Sequence, residues 1–489
     1  MAGVARTLSQ LRTLGLVSVI VLDCGRQSTI QMSYEQASRL MILLGRFDKQ
    51  QTVVLEHDAV FDTNSPTLLQ LLRAGKIPVI NEYLYSQDTC RVEKTHPEST
   101  VVTLTRLLGG HSHPYDKDGP YDVKRPSPAL ANIESIIVLD PVGGIPMAGG
   151  AIVPHRFVNL QQEYWTILAN LTQGNLPKSP EAPMRDIFES HRQNLTTVNA
   201  ALSILPPTAS ALIASPLLAA TTARPEAVPQ DTTSTNLPYA GFATVKTRPT
   251  KNPLIHNLLT DKPVYSPSLP VEKFAKKDLA GKYEARAEIA TLVKRGMPVT
   301  VLGVDGLRPG QPSISGTHRL RLTDDQVNLP KLVHLIEDSF NRKLDVDKYL
   351  QRVNHKLAGL VIAGDYEGVA ILTWETPSSL SEKEAYRQGR LVPYLDKFAV
   401  LKARQGSGGV ADIVFNAMVQ DCFPQGVCWR SRANNPVNKW YFERSVGGTK
   451  KLRGTQWVMF WTTGGLQARS EVLADFEDVC RQIQPSWAD

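Results

Sequence analysis

The stretch that most restricts what this chain can fold into runs from Leu395 to Phe423. LDKFAVLK is an alternating apolar run, Arg404-Gln405-Gly406-Ser407-Gly408-Gly409 is a glycine-rich turn, and GGVADIVFNAMVQDCF has helical periodicity. Strand, glycine turn and helix in direct succession make a phosphate cradle. Glycines let the backbone turn tightly and aim successive N–H groups at one point, and the helix N-terminus adds positive potential. The run lacks the Gly-Lys-Ser/Thr ending of a nucleoside-triphosphate loop and follows the fourth strand-like run of its region rather than the first. A pyrophosphate held without Mg²⁺ is therefore the reading here, with a plain structural turn as the alternative.

At 489 residues the chain exceeds a single core, since domains commonly run about 100 to 200 residues. Its first part carries the apolar runs VSVIVLD, TVVLEHDAVF, IPVINEYLY, STVVTLTRLL and SIIVLDPVGGI, separated in the rhythm of a layered α/β domain. Residues 176–250 turn to Pro, Thr, Ala and Ser, and a largely irregular or disordered stretch is expected there. The uncharged run Gln193–Ala223 is long enough to span a bilayer, but Pro206, Pro207 and Pro216 interrupt it, and a loop joining buried elements is expected instead. Lys276–Arg295 reads as helical, PVTVLGV as a strand, and LRPGQPSISG as a linker. The expected division is a first domain at 1–306, a linker at 307–316 and a second domain at 317–489.

In the second domain, Leu329–Phe340 is an amphipathic helix and Leu357–Glu375 a hairpin turning at Gly364-Asp365. Val427–Arg432 reads as a strand and Pro436–Phe442 as a short helix with Asn435 as its N-cap. Gln456–Thr462 and Ser470–Ile483 supply a last strand and helix.

The net charge is +7, from 54 Lys+Arg against 47 Asp+Glu. Between Asp396 and Arg453 ten bases face four acids, a local +6 that suits anions. Strand alternation sets Lys397 opposite Phe398 and puts Arg430 and Arg432 on one face, a fork suited to carboxylates unless both are merely solvated. Tyr441 is a candidate proton donor on the short helix. A phenol near pKa 10 donating to a thiolate near 8.5 works uphill by roughly 2 kcal/mol, so placement must compensate. The same bases and aromatics lack any base-stacking sheet motif, so no nucleic acid is expected.

Five scattered cysteines argue against a secreted disulfide framework. Cys422 and Cys428 read as buried thiols. His111, His113, Asp116 and Asp118 have metal-ligand chemistry but no second set at zinc spacing, so a polar loop and no metal are expected. No signal peptide opens the chain. Its first 22 residues, with Arg6 and Arg12 and no acid, fit a transit peptide or a helix followed by a buried strand.

Leu395–Lys402, the Gln405-x-x-Gly408 turn and the run Trp429–Phe442 (WRSRANNPVNKWYF) resemble the acetyltransferase domain of fungal and vertebrate N-acetylglutamate synthases, members of the GCN5-related N-acetyltransferase (GNAT) superfamily. The family turn is usually Gln/Arg-x-x-Gly-x-Gly/Ala, and here Val410 takes the last place. Leu71–Asn81, Ser135–Pro146, Phe157–Tyr164 and Asn252–Pro270 resemble the degenerate amino-acid-kinase domain of the fungal enzymes. The implied fold is α/β: an incomplete amino-acid-kinase-like α/β/α sandwich followed by a GNAT-type mixed α/β domain, with no kinase activity expected. The implied reaction is acetyl transfer from acetyl-CoA to the α-amine of L-glutamate in the mitochondrial matrix, the first step of arginine biosynthesis, by direct attack without an acyl-enzyme. Carried over position by position, Arg342, Lys397, Arg430, Arg432 and Asn435 would bind glutamate, and Tyr441 and Lys397 would serve catalysis. Gln405, Gly406, Ser407, Gly408 and Gly409 would hold the pyrophosphate, and the backbone N–H groups of Phe398, Ala399, Val400 and Leu401 would polarise the thioester carbonyl. The resemblance further implies L-arginine as a feedback inhibitor, a homo-oligomer and a complex with N-acetylglutamate kinase, with no membrane. The rival readings are a non-catalytic arginine-sensing subunit of that kinase, and an acetyltransferase with another amino-acid acceptor.

Overall fold

A computed structural model describes residues 1–25, 27–47, 52–56, 60, 67–86, 89–109, 129–147, 154–173, 182–221, 252–270, 289–303, 320–406, 409–446 and 448–488. Two units divide the chain, Met1–Val264 with Glu284–Arg295, and Tyr265–Tyr283 with Gly296–Asp489. The expected linker at 307–316 and the His111–Asp118 loop lie outside the described residues.

In the first unit, strands Ile20–Val21, Thr52–Leu55 and Ile77–Ile80 form a parallel sheet with Ile77–Ile80 in the middle. A second sheet sets strands Ser135–Leu139, Ser210–Ala214, Thr291–Lys294 and Phe157–Asn159 side by side, mixing parallel and antiparallel pairs. STVVTLTRLL falls in helix Pro97–Gly109. Two segments depart from the sequence reading. Part of the stretch expected to be irregular is helix Ala182–Ile204 and strand Ser210–Ala214. Leu195, Val198 and Leu202, spaced as one helix face, are fully buried, and that periodicity outweighs the polar Thr and Asn between them. The Lys276–Arg295 run expected to be helical ends in strand Thr291–Lys294, where sheet pairing on both edges overrides local propensity.

The second unit is built on a seven-stranded sheet. Its order is Val299–Leu302, Leu357–Ala363, Gly368–Glu375, Val392–Val400, Cys428–Arg432, Trp457–Trp461 and Thr449–Lys451. Val299–Leu302 therefore belongs with this sheet through its antiparallel pairing to Leu360–Ala363, so the second unit takes in a strand that the sequence reading placed before the linker. The α/β class is borne out. Helix Leu329–Phe340 has its expected bounds, and its Leu332, Leu335 and Ile336 are buried on one face of the sheet. Asn328 caps its start and Asn341, in the left-handed conformation, ends it. Helix Val410–Ala417 packs on the other face.

Five of the six sheet pairings are antiparallel; Val392–Val400 and Cys428–Arg432 are parallel and, among the described residues, meet only at Tyr394 and Cys428. Beyond that point the two strands part, and the edge of Leu395–Val400 has no strand partner on that side among the described residues.

Candidate active site

The parting strand carries a bulge. Ile371 pairs with Lys397 and Leu372 with Leu395, so Asp396 is the extra residue. The bulge puts two successive side chains, Asp396 and Lys397, on one face. Phe398 turns to the other face, as alternation predicted, into the aromatic cluster of Phe415 and Trp440.

Asp396 is buried. Its carboxylate accepts from Tyr349 Oη at 2.8 Å, from Arg352 Nη2, and from Lys397 Nζ at 3.1 Å. Arg352 also reaches Glu375 at 3.4 Å, and Lys356 holds Glu375 at 2.9 Å. Burial alone would raise the Asp396 carboxyl; the Lys397 and Arg352 charges and the Tyr349 hydroxyl outweigh it and hold the group well below the carboxylate range. Lys397 is pulled the other way: burial lowers its ammonium below the usual lysine range, with Asp396 opposing. The ammonium lies 4.9 Å from the Tyr349 ring centre and 5.5 Å from that of Trp487. Arg342 lies 5.1 Å from the same Trp487 ring, so the structure brings these two carried-over cations together.

The remaining carried-over residues separate. Arg430 donates to the carbonyls of Cys480 and Ile483 and stacks 4.1 Å over Trp457. It caps the C-terminus of helix Ser470–Gln482, where a cation meets the negative end of the dipole, rather than forming a fork with Arg432. Arg432 is exposed, with no ion-pair partner among the described residues. Asn435 is a turn residue and not an N-cap: its Oδ1 accepts from Val437 N at 3.0 Å, its Nδ2 donates to Ser431 Oγ at 2.8 Å, and the helix begins later, at Asn438–Arg444.

Tyr441 is buried among Trp429, Trp440 and Phe460, each ring centre 5.5–5.6 Å away. Burial pushes its phenol above the ordinary tyrosine range, which keeps the proton on it at neutral pH and makes donation to a thiolate still more uphill. Burial likewise pushes the Cys422 thiol up to about 12, in keeping with an inert cysteine.

Of the four backbone groups expected to face the carbonyl, two turn elsewhere. Leu401 N donates to Glu367 O at 3.0 Å, and ladder alternation then turns Ala399 N toward Val369 as well. Phe398 and Val400 point to the side where the parallel partner has parted, and Val400 N donates to Ser339 Oγ at 3.2 Å. The Phe398 N–H is the one of the four without a partner among the described residues.

In the turn, Gly406 and Gly409 have φ of +78° and +70°, the left-handed conformation that favours glycine. Gln405 Nε2 returns to Val400 O at 3.1 Å, and Ser407 and Gly408 lie outside the described residues. Val410, the departure from the family turn, is the buried first residue of the helix. A Cβ placed on Gly368 would come within 2.6 Å of its Cγ1, so the bulk gained at Val410 is matched by the side chain missing at Gly368. The backbone N–H groups opening this helix suit an anion.

Sequence reasoning missed Tyr349, Arg352, Asp396 and Trp487. It counted Asp396 as one of four acids against ten bases, and much of that basic excess proves to be committed: Arg404 to Glu367 at 2.9 Å, Arg444 to Asp412 at 2.8 Å, Lys450 to Glu477, and Arg430 to carbonyls. Arg444 also reaches Ser266 Oγ at 2.6 Å and Ser268, tying segment 265–270 to the sheet of the second unit.

A mixed sheet whose parallel strands part beside a glycine-turned helix is an N-acetyltransferase architecture, and residues 318–484 match the family described as N-acetyltransferase of N-acetylglutamate synthase. Over its whole length the chain is 42% identical to the mitochondrial amino-acid acetyltransferase of Podospora anserina, covering 75% of that protein. It is 42% identical to that of Talaromyces stipitatus and 43% to that of Neurospora crassa, covering 77% and 72% of them. The chain belongs to the mitochondrial amino-acid acetyltransferase family.

Proposed function

We propose that the chain is an N-acetylglutamate synthase that moves the acetyl group of acetyl-CoA to the α-amine of L-glutamate in the mitochondrial matrix. The observation that carries this reading is that Lys397, on the strand that has parted from its neighbour, and Arg342, in the turn after helix Leu329–Phe340, both lie within 5.5 Å of one indole centre. A dicarboxylate needs partly desolvated positive charge, whereas an acceptor such as lysine would call for acids around its amine. Lys397, Arg342 and the exposed Arg432 are assigned to the glutamate carboxylates, and Asn435 to the turn that places Arg432. The helix opening at Val410, with Gln405, Gly406 and Gly409 before it, is assigned to the CoA pyrophosphate.

Acetyl-CoA supplies an activated acyl group. The neutral amine nitrogen attacks the thioester carbon, the C–N bond forms and the C–S bond breaks. The proton lost from nitrogen leaves to solvent, the thiolate takes one from Tyr441, and the Tyr441 phenolate regains a proton from solvent before the next turnover. Phe398 N–H polarises the carbonyl oxygen. Most of the acceleration comes from orientation, because no covalent enzyme intermediate is needed. In keeping with the family resemblance, the first unit is assigned a kinase-like regulatory role, with L-arginine as feedback inhibitor and a homo-oligomer that associates with N-acetylglutamate kinase.

The test is thiol release from acetyl-CoA with L-glutamate, set against glutamine, aspartate and a lysine peptide. Glutamate is expected to give the highest kcat/KM. Equal or better turnover of the peptide would overturn the acceptor assignment, and release with none of them would overturn the enzyme.

A further inference from the structure

After helix Ser470–Gln482 the chain does not trail away. Arg430 clamps the helix end through the carbonyls of Cys480 and Ile483, and the tail then returns to the turn that follows helix Leu329–Phe340. There Trp487 forms an antiparallel bridge with Leu344, Ala488 N donates to Lys343 O at 3.0 Å, and Asp345 N donates to Ser486 O at 3.2 Å. The Trp487 ring sits 5.2 Å from Phe340. The same ring takes Arg342 at 5.1 Å and Lys397 at 5.5 Å, both within cation–π range. Trp487 also lies beyond the residues 318–484 that match the acetyltransferase family.

Two like charges drawn toward one point repel, and a long lysine or arginine side chain loses rotamer freedom when held. An indole face offsets both costs, because its quadrupole attracts each cation without neutralising it. A carboxylate in the same place would add a second negative charge beside Asp396, which already pairs with Lys397, and would cancel the positive charge that an anionic acceptor needs. Asp396 already engages Lys397 from beneath, and Trp487 holds it from the tail side.

We propose that Trp487, delivered by the C-terminal tail, is a positioning residue for acceptor binding, holding Lys397 and Arg342 as a preorganised pair of positive charges for the two carboxylates of the amino-acid acceptor. The inference rests on the acceptor assignment of Lys397 above. The ring contacts of Trp487 are with Phe340, Arg342 and Lys397, so its assigned effect is on acceptor affinity and not on the chemical step.

Four forms of the full chain decide it: wild type, Trp487→Phe, Trp487→Leu and Trp487→Ala, each assayed for kcat, KM for L-glutamate and KM for acetyl-CoA. Leucine fills space without a π face and phenylalanine keeps a weaker one, which separates the ring's charge-holding from its packing. Losing two cation–π contacts predicts a KM for glutamate raised roughly fivefold to thirtyfold in the leucine and alanine forms, with phenylalanine in between. The KM for acetyl-CoA and kcat are expected to stay within about twofold, since binding common to ground and transition states is what is lost. A leucine form that matches phenylalanine, or a rise shared equally by both KM values, overturns the proposal. Should the alanine form fail to fold, the phenylalanine and leucine forms still decide. Wild type without glutamate turnover would refute the acceptor assignment instead, a separate outcome.

Discussion

Asp396→Asn is the most informative single change in the second unit. The carboxylate lies buried at the bulge, with one oxygen taking Tyr349 and Lys397 and the other taking Arg352. The amide keeps one acceptor oxygen but turns an NH₂ group toward either the guanidinium or the phenol and ammonium, so one side is left facing a donor. Breaking a buried ion pair costs about 3–5 kcal/mol. Arg352 retains Glu375 at 3.4 Å, which moves the expected loss toward the lower end, about 3 kcal/mol. At roughly 2–4 °C per kcal/mol for a unit of this size, the melting transition drops by about 6–12 °C. Asp396 is also the main influence holding the Lys397 ammonium up against burial, so its removal lowers that group further. The charged lysine is then lost at a lower pH, and the rise of KM for glutamate with increasing pH sets in earlier than in wild type. Chemical denaturation and a KM–pH profile read the two effects separately. A variant within 1 kcal/mol of wild type, with its KM profile unmoved, would mean that Asp396 and Lys397 do not form the coupled pair described.

Further substitutions probe the same unit. Tyr441→Phe is expected to lower kcat about 10²- to 10⁴-fold with little change in KM, as removal of a proton donor should; unchanged kcat in single-turnover thiol release would reassign the donor. Arg432→Ala is expected to raise KM for glutamate with stability within about 0.5 kcal/mol, whereas Arg430→Ala, which strips the cap from helix Ser470–Gln482, costs about 2–3 kcal/mol in denaturant titration; the reverse pattern would exchange their roles. Gly368→Ala drives a methyl against Val410 and is expected to cost about 1–3 kcal/mol, and Gly368→Ala with Val410→Ala to regain much of that; no rescue would remove the small-for-large account of the glycine turn. Acid titration supplies a check on sign. A carboxyl held below its unfolded value near 3.9 stabilises fully above that pH and loses the contribution as pH falls toward its folded value, so Asp396→Asn should narrow the acid-side slope of stability.

The elements around the cradle were legible because their signals are local. Leu329–Phe340 has an Asn on each side and three apolar residues at helical spacing, and the hairpin at Gly364 has left-handed positions at Gly364 and Tyr366. Lys397 and Phe398 fell on opposite faces as alternation required. What could not be read depends on partners distant in sequence. The bulge at Asp396 is a property of its pairing with Ile371 and Leu372, and no letter in LDKFAVLK marks it. Tyr349 and Arg352 sit on Val346–Val353, a helix whose own residues carry no local sign of the buried Asp396 set against it. Arg430 looked like half of a carboxylate fork because spacing gives the face of a strand but not what waits there, in this case the end of a helix some fifty residues on. A bare count of bases misled for the same reason, since Arg404 and Lys450 are held by Glu367 and Glu477, which lie outside the counted stretch.

The interleaving of the two units bears on how the chain is made. The chain enters the second unit at Tyr265, returns to the first at Glu284 and leaves it again at Gly296. Strand Thr291–Lys294 joins Phe157–Asn159 to the rest of its sheet, so a ribosome must finish part of one unit before the other can close. For the same reason no single protease cut yields two whole pieces. A fragment beginning at the acetyltransferase match would lack the edge strand Val299–Leu302 and the serines that hold Arg444, leaving a hydrophobic strand edge open to self-association.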